Sequence, residues 1–249
     1  MGEHILEIVA LTKRFGGLVA TNNLSLSVLK GETHALIGPN GAGKTTLISQ
    51  LQGDMRPDAG TIRFEGVDIT AEPPFRRARR GIARSFQITS VFLKFSVLAN
   101  VVMAVQAQSG HSFRFWGAAL NDRALFDAAM SAIETMGLAS RSYVLAEDLS
   151  HGERRQLELA MVLAMRPTML LLDEPMAGMG SQDGARVASI LKALKNEYTI
   201  VLIEHDMDVV FSLADRVSVL VAGQTIATGT PVEIRSNEAV RASYLGHKD

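Results

Sequence analysis

The sequence predicts an α/β protein built on a parallel sheet, with an N-terminal antiparallel β subdomain and an inserted α-helical subdomain. Three observations predict it. Short apolar strands alternate with helical patterns over the last third of the 249 residues, as parallel sheets require. Residues 3–30 and 60–70 alternate apolar and polar positions, the pattern of half-buried antiparallel strands. Between about 74 and 165 no strong strand interrupts a mostly helical pattern, and a stretch that long forms a subdomain of its own. The boundaries read as 1–87 and 166–249 for the core and 88–165 for the insertion.

Taken in order, "ILEIVALTKRF" and "NNLSLSVLK" are strands, the second with Leu24, Leu26 and Val28 on one face. "THALIG" (33–38) is an apolar strand running into a glycine-rich turn, and "KTTLISQLQG" behind it is a helix stopped at Gly53. "GTIRFEGVDIT" (60–70) is a hairpin. After the helical stretch come a strand at "TMLLLDEP" (168–175), a helix over about 181–196, a strand at "TIVLIEHD" (199–206), a helix over about 207–214 and a strand at "VSVLVAG" (217–223).

Composition narrows the classes. Apolar residues make up 47% and charged residues 20%, so the chain can bury a core and is not disordered. A formal net charge of −1 gives no global field toward nucleic acid, and no nucleic-acid partner is expected. With no cysteine there are no disulfides and no thiolate metal sites. The longest apolar run, "VLANVVMAVQAQ" (97–108), falls short of a membrane span and carries Asn100, Gln106 and Gln108. The opening residues carry neither a secretion signal nor a myristoylation pattern, so the chain is expected in the cytosol, with any membrane contact made through a partner.

The chemistry begins at "GPNGAGKTT" (38–46), which fits G-x-x-x-x-G-K-[ST] between a predicted strand and a predicted helix. At ordinary glycine usage an accidental match in a chain this long arises on the order of one time in a hundred. Gly38, Gly41 and Gly43 let backbone N–H groups close around phosphates, with Pro39, Asn40 and Ala42 completing the loop. The helix start adds its dipole, Lys44 reaches the β- and γ-phosphates, and Thr45, followed by Thr46, offers a hydroxyl to Mg²⁺. The loop in this context points to binding of a nucleoside triphosphate with Mg²⁺. Asp173 and Glu174 close the strand "MLLLDEP", and in an open parallel sheet both lie at the carboxyl end where ligands bind. Neighbours on a strand face opposite ways, which assigns Asp173 to the Mg²⁺ shell and Glu174 to polarising the attacking water. His205, at the tip of the next strand, is positioned to hold the γ-phosphate geometry. Leu149-Ser150-His151-Gly152-Glu153 contains S-x-x-E, a capping box opening a helix whose N–H groups favour an anion, and Gly152 lets a phosphate approach.

With these motifs in place the chain resembles, over nearly its whole length, the nucleotide-binding subunit of an ABC transporter. "GPNGAGKTT" is similar to Walker A, "LSHGE" to the signature LSGGQ and "MLLLDE" to Walker B, and His205 resembles the switch histidine. The resemblance implies a P-loop NTPase (RecA-like) core with ATP and Mg²⁺ as cofactors, and further roles. Gln87 of "RSFQ" would be the Q-loop contact to Mg²⁺ and water, sensing the membrane partner, and Phe15 the aromatic on which adenine stacks. Leu149–Glu153 would face the ATP of a second ATPase subunit. "GIARSFQ", "EHDMDVV" and the terminal "YLG" resemble the ATPases of branched-chain amino acid importers. That implies two transmembrane permease subunits, a homo- or heterodimer of ATPases, a solute-binding protein, and a place on the cytoplasmic face of the membrane. Two departures stand out. His151 and Glu153 replace a glycine and a glutamine of the signature, and Gly180 in "AGMG" stands where the family carries Asp or Asn.

Other readings compete. An ABC importer of urea or amides, a lipopolysaccharide-type exporter, or a non-transport ABC clamp would share these motifs, although a clamp usually brings two cassettes or long heptads. A P-loop kinase would give no reason for "LSHGE". The five arginines of "FRRARRGIARSF" (75–86) read as a solvated face or a partner contact, and "GHSFRFWGAAL" (110–120) as packing or a partner contact.

Overall fold

The computed structural model describes residues 2–84, 91–108, 122–195 and 197–243. Two long strands open the chain, β1 (His4–Phe15) and β2 (Leu18–Leu29), followed by β3 (Thr33–Ile37), α1 (Lys44–Gln52), β4 (Ala59–Phe64), β5 (Val67–Asp68) and the short helix α2 (Pro74–Arg79). β1 pairs antiparallel with β2 on one side and β4 on the other, which gives a sheet ordered β2-β1-β4-β5. The hairpin predicted at 60–70 turns on Glu65 and Gly66, with φ of 49° and 75°, the two left-handed positions of a tight β-turn. Leu24, Leu26 and Val28 point inward, as their spacing predicted.

The second sheet uses β3 with β6 (Ile82–Arg84), β7 (Met169–Asp173), β8 (Thr199–Ile203), β9 (Arg216–Val221) and β10 (Gln224–Gly229), in the order β10-β9-β3-β8-β7-β6. β9, β3, β8 and β7 run parallel, and every residue of β3 and β8 is buried. Such continuous apolar runs belong to the middle of a parallel sheet. Two strands escaped the sequence reading. β6 has only Ile82 and Ala83 as apolar residues, and β10 alternates exposed with half-buried positions along "QTIATG" without a strongly apolar side chain except Ile226. The core between the sheets joins Leu6, Ile8, Leu24, Ile48, Leu51, Phe64, Leu171 and Ile203.

The chain divides into two compact units, one of Met1–Ile82, Thr168–Glu174 and Leu194–Asp249, the other of Ala83–Pro167 and Pro175–Ala193. The second is helical. α3 (Val97–Gln108), α4 (Arg123–Thr135) and α5 (His151–Ala164) pack against one another around Val101, Ile133, Leu157 and Ala160. Asn100, a polar interruption in the α3 run, is fully buried; its side chain accepts the Phe92 N–H at 2.8 Å and donates to the Phe92, Phe95 and Ser96 carbonyls. Where the sequence boundaries take 88–165 as the insertion, this unit also gathers Pro175–Ala193, the segment holding most of α6 (Ser181–Leu194). Arg186 of α6 donates to the Gly137 carbonyl at 3.3 Å, one of the contacts that tie it there. Among the described residues no helix is long and apolar enough to cross a membrane.

Candidate functional site

β3 ends at Ile37 and α1 starts at Lys44, so residues 38–43 form the loop between a buried strand and a helix N-terminus. Gly43 is the N-cap of α1 at φ 99°, and no side chain caps that end, so the first N–H groups and the positive end of the helix dipole are left for a ligand. The glycines have a second reason beyond the one the sequence offered. A Cβ on Gly38 would collide with the Leu220 carbonyl, and one on Gly43 with the Ala20 carbonyl. The loop needs glycine at both because the protein's own backbone lies against its outer side. Gly41, at φ 79°, has open space where its side chain would be. Asn40, Gly41 and Thr45 are exposed, Pro39 and Thr46 half-buried, and Ala42 is buried with its N–H donating to the Pro39 carbonyl at 3.1 Å.

Lys44 folds over this loop. Its Nζ donates to the carbonyls of Gly38 at 2.6 Å and Pro39 at 3.0 Å. Burial holds its pKa below the ordinary lysine value, while the charges of Glu174 and Asp173 pull it back up. The two carboxylates therefore face the loop electrostatically, at the carboxyl end of β7.

Glu174 differs from its sequence reading in one respect. It is not a strand residue: β7 stops at Asp173, and Glu174 takes φ 48°, left-handed backbone that a side-chain-bearing residue rarely adopts. Its N–H is tied to the Ile203 carbonyl of β8 at 2.9 Å. A left-handed kink, rather than strand alternation, separates the directions of the two carboxylates. Such strain costs on the order of 1–3 kcal/mol and gathers at functional sites. His205 follows β8 by two residues, its Nδ1 4.0 Å from Glu174 Oε1 and 3.8 Å from Glu204 Oε2. Glu204 is buried and accepts the His205 N–H at 3.2 Å, fixing the backbone that carries the imidazole. Asp206 then caps α7 (Met207–Leu213), accepting from Asp208 and Val209.

Phe15 stands half exposed at the end of β1, beside the turn at Gly16 and Gly17. The Lys13 ammonium lies 5.7 Å from its ring centroid and is held by Asp58 at 2.8 Å; Asp58 also accepts the Arg14 N–H at 2.7 Å. These contacts pin the strand end that presents the ring.

In the helical unit, Ser150 is the N-cap of α5 with a complete capping box. Its Oγ accepts the Glu153 N–H at 3.2 Å, and Glu153 Oε2 accepts the Ser150 N–H at 2.9 Å. Arg141 Nε lies 2.9 Å from Glu153 Oε1. The Ser150 N–H and Arg141 hold the Glu153 carboxyl below the ordinary glutamate range, against a smaller effect of burial. Leu149 is buried and His151 exposed. Gly152 has a packing reason that the sequence did not disclose: a Cβ there would lie 2.5 Å from Asp183 Oδ2 of α6. The space expected to admit a phosphate at that carbon holds a carboxylate. His151 borders Gly178, and Gly180, the residue before α6, accepts the Gly184 N–H at 3.0 Å with nothing within 4 Å of its missing side chain.

The first unit thus gathers Gly38–Thr46, Asp173, Glu174 and His205 at the carboxyl ends of the neighbouring strands β3, β7 and β8, with Phe15 in the same unit. The second carries Leu149–Glu153. Gln87 and residues 110–120 lie outside the described residues. Asp183 was missed because nothing in "GSQDGA" distinguishes a carboxylate packed on a glycine from a solvated one.

Comparison with known proteins follows the same line. The family model described as "ABC transporter" matches residues 21–177, and that described as "Branched-chain amino acid ATP-binding cassette transporter" matches 224–249. The high-affinity branched-chain amino acid transport ATP-binding protein BraF of Pseudomonas aeruginosa is 36% identical over 253 residues, covering 99% of both chains. LivG of Escherichia coli K12, with the same description, is 37% identical over 258 residues with the same coverage. A solved ATP-binding cassette of an ABC transporter, in its ADP conformation, superposes with a TM-score of 0.84 at 28% identity over 98% of this chain and 99% of the other.

Proposed function

Because this chain belongs to the ABC transporter family of ATP-binding proteins, we propose that it hydrolyses ATP to drive an importer of branched-chain amino acids or similar small solutes. The observation that carries the reading is the carboxyl end of the parallel strands, where Lys44 feels the charges of Asp173 and a left-handed Glu174. The names of the relatives and the C-terminal family match support the solute class.

Loop N–H groups, the α1 dipole and Lys44 hold the triphosphate, and Phe15 stacks the adenine. A magnesium ion fits the donors available. Thr45 and Asp173 offer hard oxygens, and among the described residues no cluster of three His, Asp or Glu side chains supplies a full cage. That suits a cation that keeps water and phosphate in its shell. Thr45 and Asp173 would hold it, and it would supply positive charge against the charge on the phosphates. Glu174 accepts a hydrogen bond from water and aims it in line at the γ-phosphorus, while His205, 4.0 Å from Glu174, holds the phosphate side of that arrangement. The resemblance assigns Gln87, outside the described residues, to the water as well. A second ATPase subunit supplies Leu149–Glu153, whose Ser150 and α5 N-terminus complete the site from the far side of the nucleotide.

Two permease subunits bind the helical unit, a solute-binding protein delivers the cargo, and the complex places this chain on the cytoplasmic face of the membrane. The docking face we favour is the exposed apolar group Phe92, Leu93, Tyr143 and Leu145. The Ala146 and Glu147 N–H groups bring these residues together by donating to the Phe95 and Leu93 carbonyls at 2.9 and 3.0 Å.

Glu174→Gln tests the chemistry: ATP binding should persist while turnover falls by about 10²–10⁴-fold. Full turnover in that variant would remove Glu174 from the water-activating role. Pull-down from membranes tests the assignment to transport, with polytopic permease chains the expected partners.

A further inference from the structure

The turn between β9 and β10 does work that no motif marks. Ala222 and Gly223 occupy its two central positions at φ 49° and 77°, with Val221 paired to Gln224. In a two-residue hairpin of this kind the inner peptide groups ordinarily face water. Here they are used. The Gly223 N–H donates to the Ala42 carbonyl of the phosphate loop at 3.1 Å, and the Gly223 carbonyl accepts the Asn22 N–H of β2 at 2.9 Å. The contact admits no side chain, since a Cβ on Gly223 would lie 2.8 Å from the Ala20 carbonyl and 3.1 Å from Asn22 N. The same Ala20 carbonyl is what excludes a Cβ from Gly43, whose own Cβ position is 3.6 Å from Gly223 Cα.

The consequence follows from peptide geometry. In a trans peptide the C=O and the next N–H point to opposite sides, and the chain holds no cis bond among its described residues. Fixing the Ala42 carbonyl toward the hairpin fixes the Gly43 N–H away from it. We infer that the Ala222–Gly223 turn is a positioning element of the phosphate loop: it orients the Ala42–Gly43 peptide so that the Gly43 N–H is aimed at bound phosphate. The inference rests on residues 38–46 being the nucleotide loop.

Three variants separate the two claims when MgADP affinity is measured by calorimetry. Lys44→Ala should abolish measurable binding; wild-type affinity there would overturn the nucleotide-loop reading itself. Gly223→Ala should weaken binding at least tenfold. Gly66→Ala is the matched control, since it imposes a comparable left-handed strain at φ 75° with nothing within 4 Å of the added carbon. It should leave affinity unchanged. A folded Gly223→Ala protein that binds like wild type, with Lys44→Ala inactive, would overturn the positioning role alone. If Gly223→Ala does not fold, amide hydrogen exchange on the wild-type chain decides. The Gly223 N–H should be protected and become more so with MgADP, and exchange at the rate of an open turn would overturn the inference.

Discussion

Arg77 is the residue that most changes the reading of "FRRARR". As one of five arginines in twelve residues it belonged to an expected solvated face, yet it is 1% exposed. Its guanidinium donates to the carbonyls of Gln50 at 2.6 Å, Leu51 at 2.8 Å, Glu72 at 3.0 Å and Thr70 at 3.1 Å. Gln50 and Leu51 lie in the last turn of α1, where carbonyls run short of helical partners and the Gly53 N–H reaches that of Gln50 at 3.2 Å, so Arg77 helps cap the far end of the helix that starts at Lys44. Burial lowers its pKa to about 10, which leaves it charged at neutral pH. Arg77→Leu should destabilise the protein by about 3 kcal/mol in urea unfolding, because several buried carbonyls lose their donor. Arg77→Lys should recover only part of this, since an ammonium cannot span the four acceptors. The sequence could not single out Arg77 because its partners are main-chain oxygens, to which side-chain patterns are blind. The positions of Lys44 and Asp173 were legible for the opposite reason: the first opens α1 and the second closes β7, ends that the sequence pattern locates.

At the scale of elements, α5 is the clearest case of local chemistry written in spacing. The S-x-x-E box predicts its N-terminus to the residue, and both reciprocal hydrogen bonds are present. Its pH dependence follows. The Glu153 pKa is depressed from 4.5 in the folded chain, so its contribution is present above pH 4.5 and is lost as pH falls through the lower folded-state value. The melting temperature of wild type should therefore drop more steeply below pH 4.5 than that of Glu153→Gln. Ser150→Ala should cost about 1 kcal/mol in stability and abolish hydrolysis while sparing ATP affinity. Less legible was everything that depends on a second element. The Gly152 contact with Asp183 joins α5 to α6 across thirty residues, and β6 exists by pairing with the sheet, with too few apolar residues to announce it.

For the whole molecule, the proposed division of labour makes a prediction that single chains cannot satisfy. Each ATP would need Lys44 from one subunit and Ser150 from the other. Lys44→Ala and Ser150→Arg chains should each be inactive alone. Mixed, they should regain turnover, because one of the two sites in a heterodimer is then intact. Recovery should follow heterodimer formation as total protein is raised, and an inactive mixture at all concentrations would refute the shared site. Resemblance carried the architecture because the motifs span nearly the full length of the chain, and the α/β core follows from strands buried on both faces. The packing reasons behind individual glycines stayed hidden, since each depends on a carbonyl or carboxylate distant in sequence.

Those glycines bear on how such a chain would decay. Gly38 and Gly43 are held by neighbouring backbone whether or not a nucleotide is turned over, whereas in the proposed reading the burial of Lys44 and the strain at Glu174 serve the reaction alone. A lineage released from selection for ATP hydrolysis should lose the lysine and the glutamate first and keep the glycines as a fossil of the fold. In a relative of this chain, an intact glycine pattern would then testify to ancestry, and only the charged residues to a working motor.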